Sequence, residues 1–117
     1  MRKIFHLANC NTCQRIIREL NIGEGFELQN IKEDSISAKQ LDQLHKVVGS
    51  YEALFSRRAM KYRSLGLNEM DLTEQDYRKY ILEEYTFLKR PVIVIDEEIF
   101  VGNSKKVVAA AKEKLEI

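Results

Sequence analysis

The only proline of the chain, Pro91, is followed at once by Val92-Ile93-Val94-Ile95. Four β-branched residues in succession predict a central strand buried on both faces, because a half-buried strand would alternate with polar residues. Pro91 is tolerated at the first residue of such a strand, where no ladder donor is lost. Composition alone leaves the Arg90–Pro91 bond trans, the usual state of an X–Pro bond. A strand of this kind needs a sheet with cover on both sides. The 117 residues, 44% of them hydrophobic, supply enough core for one such domain without disulfide staples.

The rest of the chain supplies the sheet and its cover. Lys3 to Ala8, with Ile4, Phe5 and Leu7, predicts a first strand. Asn9-Cys10-Asn11-Thr12 follows, with Asn or Thr as the expected helix N-cap. Ile16, Ile17 and Leu20 then line one helix face, with Arg15, Arg18 and Glu19 opposite, and Gly23 is expected to close that helix at about Asn21–Gly23. A second strand is predicted from about Phe26 to Ile31, giving a βαβ opening. After Val92–Ile95, Asp96-Glu97-Glu98 reads as a turn and Ile99-Phe100-Val101 as a partner strand. A last helix after Gly102-Asn103-Ser104 turns Val107, Val108, Ala111 and Leu115 inward.

Between these halves the pattern is helical. Ser35 and Ser37 precede an amphipathic stretch with Leu41, Leu44, Val47 and Val48 on one face, ended by Gly49-Ser50. Tyr51 to Leu67 reads as short helices. Thr73 with Asp76 resembles a capping box, opening a helix that carries Tyr77, Tyr80, Ile81 and Leu88. The order is βαβ, a helical insertion, then ββα.

The two cysteines form Cys10-Asn11-Thr12-Cys13, a C-x-x-C between a strand and a helix. That context reads as thiol–disulfide chemistry. Thiolate is the reactive form, and backbone N–H groups at a helix start stabilise it. Cys10, at the very start, is the expected exposed nucleophile. Cys13, one turn in and on the same face, is the expected resolving thiol. Two rival readings are a pair of buried cysteines acting as small hydrophobes and a zinc site. Zinc wants four ligands, and only His6 and His45 could join the pair. His6, four residues before Cys10, is either a group that favours the thiolate or an ordinary strand histidine; His45 reads as surface. Arg57, Arg58, Lys61 and Arg63 make a cationic patch that is either an oxyanion site or a solvated face.

Charge and hydropathy exclude other classes. Nineteen basic against 18 acidic side chains do not describe a strongly basic nucleic-acid binder, so no direct DNA contact is expected. No apolar run reaches the length of a membrane span, and the opening Met1-Arg2-Lys3 segment meets polar residues too soon for a secretory signal. The expected compartment is the cytoplasm, where thiols stay reduced.

Three segments carry a family resemblance: His6-Leu7-Ala8-Asn9-Cys10-Asn11-Thr12-Cys13; Ser56-Arg57-Arg58 ahead of Tyr62-Arg63-Ser64-Leu65-Gly66-Leu67; and Leu88-Lys89-Arg90-Pro91-Val92-Ile93-Val94. Along essentially its whole length the chain resembles the ArsC/Spx family of the thioredoxin superfamily. The resemblance implies an α/β, thioredoxin-like fold with a mixed four-stranded sheet. It implies one domain over 1–117, with a core at about 1–34 and 89–117 and a helical insertion at about 35–88. It also implies a cis Pro91 facing the cysteine turn.

Glutaredoxin-linked arsenate reductases of this family use a cysteine matched by Cys10 and an upstream histidine matched by His6. Of their three anion-holding arginines, one is matched by Arg90. The first falls on Ser56, beside Arg57 and Arg58, and the third near Gly102. Cys13 is more similar to the Spx branch, redox-sensitive regulators that bind the RNA polymerase α subunit. Arg58 matches an arginine there, while Gln14 stands where Spx-type proteins often carry arginine, and Gly49 lies one register off a contact glycine.

The expected function is a thiol-dependent oxidoreductase of the arsenate reductase-like group. Its catalytic residues would be Cys10, Cys13 and His6, with Arg90, Arg58 and Pro91 binding substrate. The substrate would be a small oxyanion or a disulfide. No bound metal or organic cofactor is implied, and electrons would come from glutathione, glutaredoxin or thioredoxin. The alternatives are an Spx-like redox-sensing regulator and an anion-binding relative without turnover.

Overall fold

The computed structural model describes residues 1–116. Strand β1 is Arg2–His6, followed by helix α1 at Asn11–Leu20 and strand β2 at Glu27–Asn30. Helices α2 (Ala38–Val48), α3 (Met60–Ser64) and α4 (Glu74–Glu83) come next, with 3₁₀ turns at Glu52–Leu54, Leu67–Glu69 and Tyr85–Phe87. Strands β3 (Val92–Ile95) and β4 (Glu98–Val101) and helix α5 (Lys105–Glu116) complete the chain. Two compact units result. One joins Met1–Ser35 to the stretch from Arg90 onward, and the other is Ile36–Lys89.

In the first unit the sheet order is β2-β1-β3-β4, with β1 parallel to β2 and the other pairs antiparallel. This is the mixed four-stranded sheet expected. All four residues of β3 are buried, as an unbroken β-branched run requires. Alternation along the strands divides their cover. Ile4 pairs with Ile93 and, with Ile95, packs against Ile16 and Leu20 of α1 and Val108 and Ala111 of α5. The opposite face carries Phe5, Val92 and Val94, also buried.

Helix ends follow the side chains available. Ser37 Oγ accepts the Gln40 N–H at 3.1 Å while Gln40 Oε1 accepts the Ser37 N–H at 3.0 Å, a full capping box for α2. Thr73 and Asp76 do the same for α4, as the sequence indicated, at 3.2 and 2.9 Å. Several boundaries differ from expectation. Helix α1 stops at Leu20 because Asn21 takes the left-handed cap at φ 52°, two residues before Gly23. Asparagine tolerates that conformation, so the first candidate, not the glycine, closes the helix. Val47 is 54% exposed, leaving Leu41 and Leu44 as the buried stripe of α2. Leu88 lies beyond α4, extended, in a bridge with Phe55.

The second unit has its own core. Phe55 stacks on Phe87 at 4.9 Å and meets Tyr77 edge-on at 4.9 Å. Asp42 on α2 accepts two bonds from Arg78 on α4, at 2.9 and 3.1 Å, and one from the Tyr51 hydroxyl at 2.6 Å. Those bonds, first the guanidinium's and then the hydroxyl's, hold the Asp42 carboxyl down at about 2.

Ile93, at the centre of β3 and fully buried, tests the packing. Ile93→Ala should lower unfolding free energy by about 2–5 kcal/mol. Met60→Ala, at a side chain 90% exposed, should change it by no more than about 0.5 kcal/mol. Urea unfolding followed by circular dichroism measures both.

Candidate active site

Strand β1 delivers the chain to one end of the sheet at His6, and a short turn through Ala8 and Asn9 returns it as α1. The turn is held at three points. The Cys10 N–H donates to the Leu7 carbonyl at 3.2 Å, the Ala8 N–H to Asn30 Oδ1 at 3.2 Å, and Gln14 Nε2 to the same Leu7 carbonyl at 3.0 Å. Cys10 itself is the N-cap, in extended backbone at φ −97°, and its carbonyl accepts the first helical bond from Gln14 N–H at 3.1 Å. The expectation of Asn11 or Thr12 as the cap is corrected here, since both lie inside the helix. Cys10 stands at the position a serine or aspartate usually takes.

That placement separates the two thiols. Burial alone would push the Cys10 thiol up. The opposing groups outweigh it: the Cys13 N–H, the Cys13 thiol, the Thr12 N–H and the Arg90 charge together bring Cys10 below its ordinary value. Cys13 is 1% exposed, and burial chiefly pushes it up to about 11, with further lift from the neighbouring Cys10. Both sulfurs are free thiols. The two neighbouring thiols are thus shifted in opposite directions, Cys10 downward and Cys13 upward.

Arg90 and Pro91 reach the same end of the sheet from the other side. Phe5 pairs with Val92, so the residues after β1 and before β3 are neighbours. The Arg90–Pro91 bond is cis, as the family resemblance implied and composition did not. The Pro91 carbonyl accepts the Gly102 N–H at 2.9 Å. Gly102 has φ 95°, a conformation that side chains resist.

His6 is 7% exposed, and burial lowers its imidazole below the ordinary value. Its Nδ1 lies 3.3 Å from Gln14 Nε2. The structure thus gathers Cys10, Cys13, His6, Arg90 and Pro91 in one unit. Arg58 and Ser56 belong to the other, where the Arg58 N–H donates to Ser56 Oγ at 3.4 Å. The cationic patch is partly neutralised. Arg57 pairs with Glu52 and also donates to the Tyr77 hydroxyl, and Lys61 lies 3.4 Å from Glu84. His45, on α2, stacks on Tyr51 at 4.0 Å. Among the described residues no group of three or more His, Cys, Asp or Glu is arranged to hold a metal ion, and no helix is long and apolar enough to cross a membrane. Sequence reasoning missed Asn30 and marked Gln14 only as standing where Spx-type proteins often carry arginine; the amides of both hold the turn.

Comparison with known proteins bears on the fold and the family. The "Global transcriptional regulator Spx 2" of Lactococcus lactis is 25% identical over 112 residues, covering 94% of this chain and 85% of that protein. The solved arsenate reductase of Vibrio cholerae superposes with a TM-score of 0.72 at 22% identity, covering 99% of this chain and 96% of that one. An arsenate reductase (ArsC) related protein from Brucella melitensis gives 0.67 at 23%, covering 93% and 92%. At these identities the two solved structures establish a shared thioredoxin-like fold. The profile of the ArsC family matches residues 5–111, from the middle of β1 into α5, and the chain belongs to that family.

Proposed function

We propose that the protein is a thiol-dependent oxidoreductase of the arsenate reductase-like group, with Cys10 as nucleophile and Cys13 as resolving thiol. The observation that carries this reading is the split between the two sulfurs, one at a helix N-cap with its pKa lowered, the other buried and raised to about 11. With a disulfide substrate, the Cys10 thiolate attacks one sulfur, forms a mixed disulfide and expels the other sulfur as thiolate. Cys13 then loses its proton and attacks Cys10, releasing the second substrate thiolate and leaving a Cys10–Cys13 disulfide. An external thiol donor, glutathione with glutaredoxin or thioredoxin, returns the two electrons. With arsenate, Cys10 sulfur displaces one oxygen as water, solvent supplying two protons. Attack by the second thiol on that sulfur then releases arsenite, the arsenic having gained two electrons as the S–S bond forms. Arg90, whose charge already acts on Cys10, would hold the anion.

A second reading has support from the Spx relatives, which match most of the chain. In it the Cys10–Cys13 pair switches a surface that binds the RNA polymerase α subunit, and no substrate turns over. The deciding measurement is NADPH consumption with arsenate or a small disulfide, the glutathione–glutaredoxin or thioredoxin system being supplied. Turnover lost in Cys10→Ser supports the enzyme. No turnover, with oxidation-dependent binding to the α C-terminal domain, supports the regulator.

Reactivity tests the assignment of roles. Iodoacetamide at neutral pH should modify Cys10 in the native protein and leave Cys13 untouched, so Cys10→Ser should abolish modification and Cys13→Ser should keep it. The reverse pattern would exchange the two roles. Because thiolate is the reacting form and the Cys10 pKa is lowered, the alkylation rate should rise with pH and level off below the range of free cysteine. Arg90→Ala removes a charge that favours the thiolate, so that midpoint should move upward. The same variant should weaken binding of an oxyanion by about 1–3 kcal/mol, read by calorimetry.

A further inference from the structure

Gln14 has no place in the chemistry above, yet its amide touches two groups of the site. Nε2 lies 3.0 Å from the Leu7 carbonyl and 3.3 Å from His6 Nδ1. A carbonyl oxygen can only accept, so the amide must turn its NH2 toward β1. One hydrogen goes to Leu7, and the other then faces the imidazole. The ring nitrogen that meets it has to present a lone pair, and in a neutral imidazole the proton then sits on the other nitrogen.

We infer that Gln14 is a positioning residue, which holds His6 in the neutral form with its proton on Nε2 and its Nδ1 engaged as an acceptor. The same amide binds α1 to the turn carrying Cys10, because the Leu7 carbonyl it meets is also the acceptor for the Cys10 N–H at 3.2 Å. Burial of His6, at 7% exposure, acts in the same direction by opposing the charged ring, and it outweighs a hydrogen bond to the Leu7 backbone that favours that form. An imidazolium would place an Nδ1–H against the Gln14 NH2, donor against donor. To accept that hydrogen the amide would have to rotate and abandon Leu7. His6 therefore offers the site one transferable proton, at Nε2, and neither a basic Nδ1 nor a positive charge. The thiolate of Cys10 is stabilised instead by the Cys13 and Thr12 N–H groups and by Arg90. The meaning of this for catalysis rests on the reading of Cys10 as nucleophile, but the tautomer does not, so either can fail alone.

The test is a long-range 1H–15N correlation spectrum of the full-length 15N-labelled protein at neutral pH, with no substrate or reductant present. His45, the other histidine, serves as internal reference. The wild-type protein should show His6 with Nδ1 in the unprotonated range and Nε2 in the protonated range, as a single tautomer. Gln14→Leu, which keeps the aliphatic stem and loses both donors, should lose that unmixed signature. Gln14→Glu, which offers only acceptors, should move the proton to Nδ1, with His45 unchanged in both variants. Gln14→Asn is one methylene shorter and should give the same loss as leucine if the longer substitutions do not fold. Wild-type His6 protonated at Nδ1 or on both nitrogens would overturn the inference. So would wild-type His6 signals retained in a folded Gln14→Leu or Gln14→Asn protein.

Discussion

The pairing of β1 with β3, both buried, is the constraint from which the site follows. Ile4 opposite Ile93 and Phe5 opposite Val92 set an antiparallel register. A one-residue slip would carry every side chain to the opposite face, so the close packing of both faces holds that register. It also brings the end of β1 and the beginning of β3 to one end of the sheet. The turn holding Cys10 leaves from the first and Arg90–Pro91 enters the second. Two segments some 80 residues apart in sequence are made neighbours by side chains that take no part in the chemistry.

Within that arrangement a single helical turn gives the two cysteines different surroundings. Cys10 stands before the helix, where free N–H groups point outward and a negative sulfur is welcome. Cys13 stands on the inward stripe with Ile16 and Leu20, where a charge has little solvent to lean on. The spacing that lets the two sulfurs meet is the spacing that gives them opposite environments. The asymmetry comes from the helix start at Cys10 and from burial at Cys13; the Arg90 charge lowers both thiols.

Much of this was legible because it depends on patterns of adjacent residues. The β-branched run named β3, the apolar stripe of α1 named its inward face, and Thr73 with Asp76 named a cap. The departures arise where competing local solutions differ by little. Asn21 and Gly23 can both end a helix, and which one does so is decided by where the chain must turn toward β2. Cys10 as N-cap was missed because thiols are poor capping groups in the statistics that favour Asn and Thr. Leu88 continued the apolar spacing of α4, but the helix ends at Glu83 and Leu88 is recruited by Phe55 instead. The cis bond before Pro91 has no local signature, and only the family resemblance pointed to it. The Gln14 contacts join a helix to the strand before it, a pairing that residue spacing does not reveal.

The substrate question turns on what the site retains near Cys10. Arsenate carries charge that must be held in place while sulfur displaces oxygen, and guanidinium forks suit that task. In the unit that contains both cysteines, Arg90 is present, while the family resemblance puts a further arginine near Gly102. The space around Gly102 is open: no heavy atom lies within 4 Å of where a Cβ would stand. The obstacle is the backbone, because φ 95° is a left-handed conformation costing a side-chain-bearing residue roughly 1–2 kcal/mol. Restoring an arginine would therefore require the hairpin end to change its path, and with it the Gly102 N–H bond to the Pro91 carbonyl. A disulfide makes no such demand. It is neutral at the reacting atoms, needs only an accessible thiolate and a second thiol within reach, and loses little when a cation is absent. Under the proposed function, the dependence of turnover on Arg90 is therefore the property that separates the two substrates.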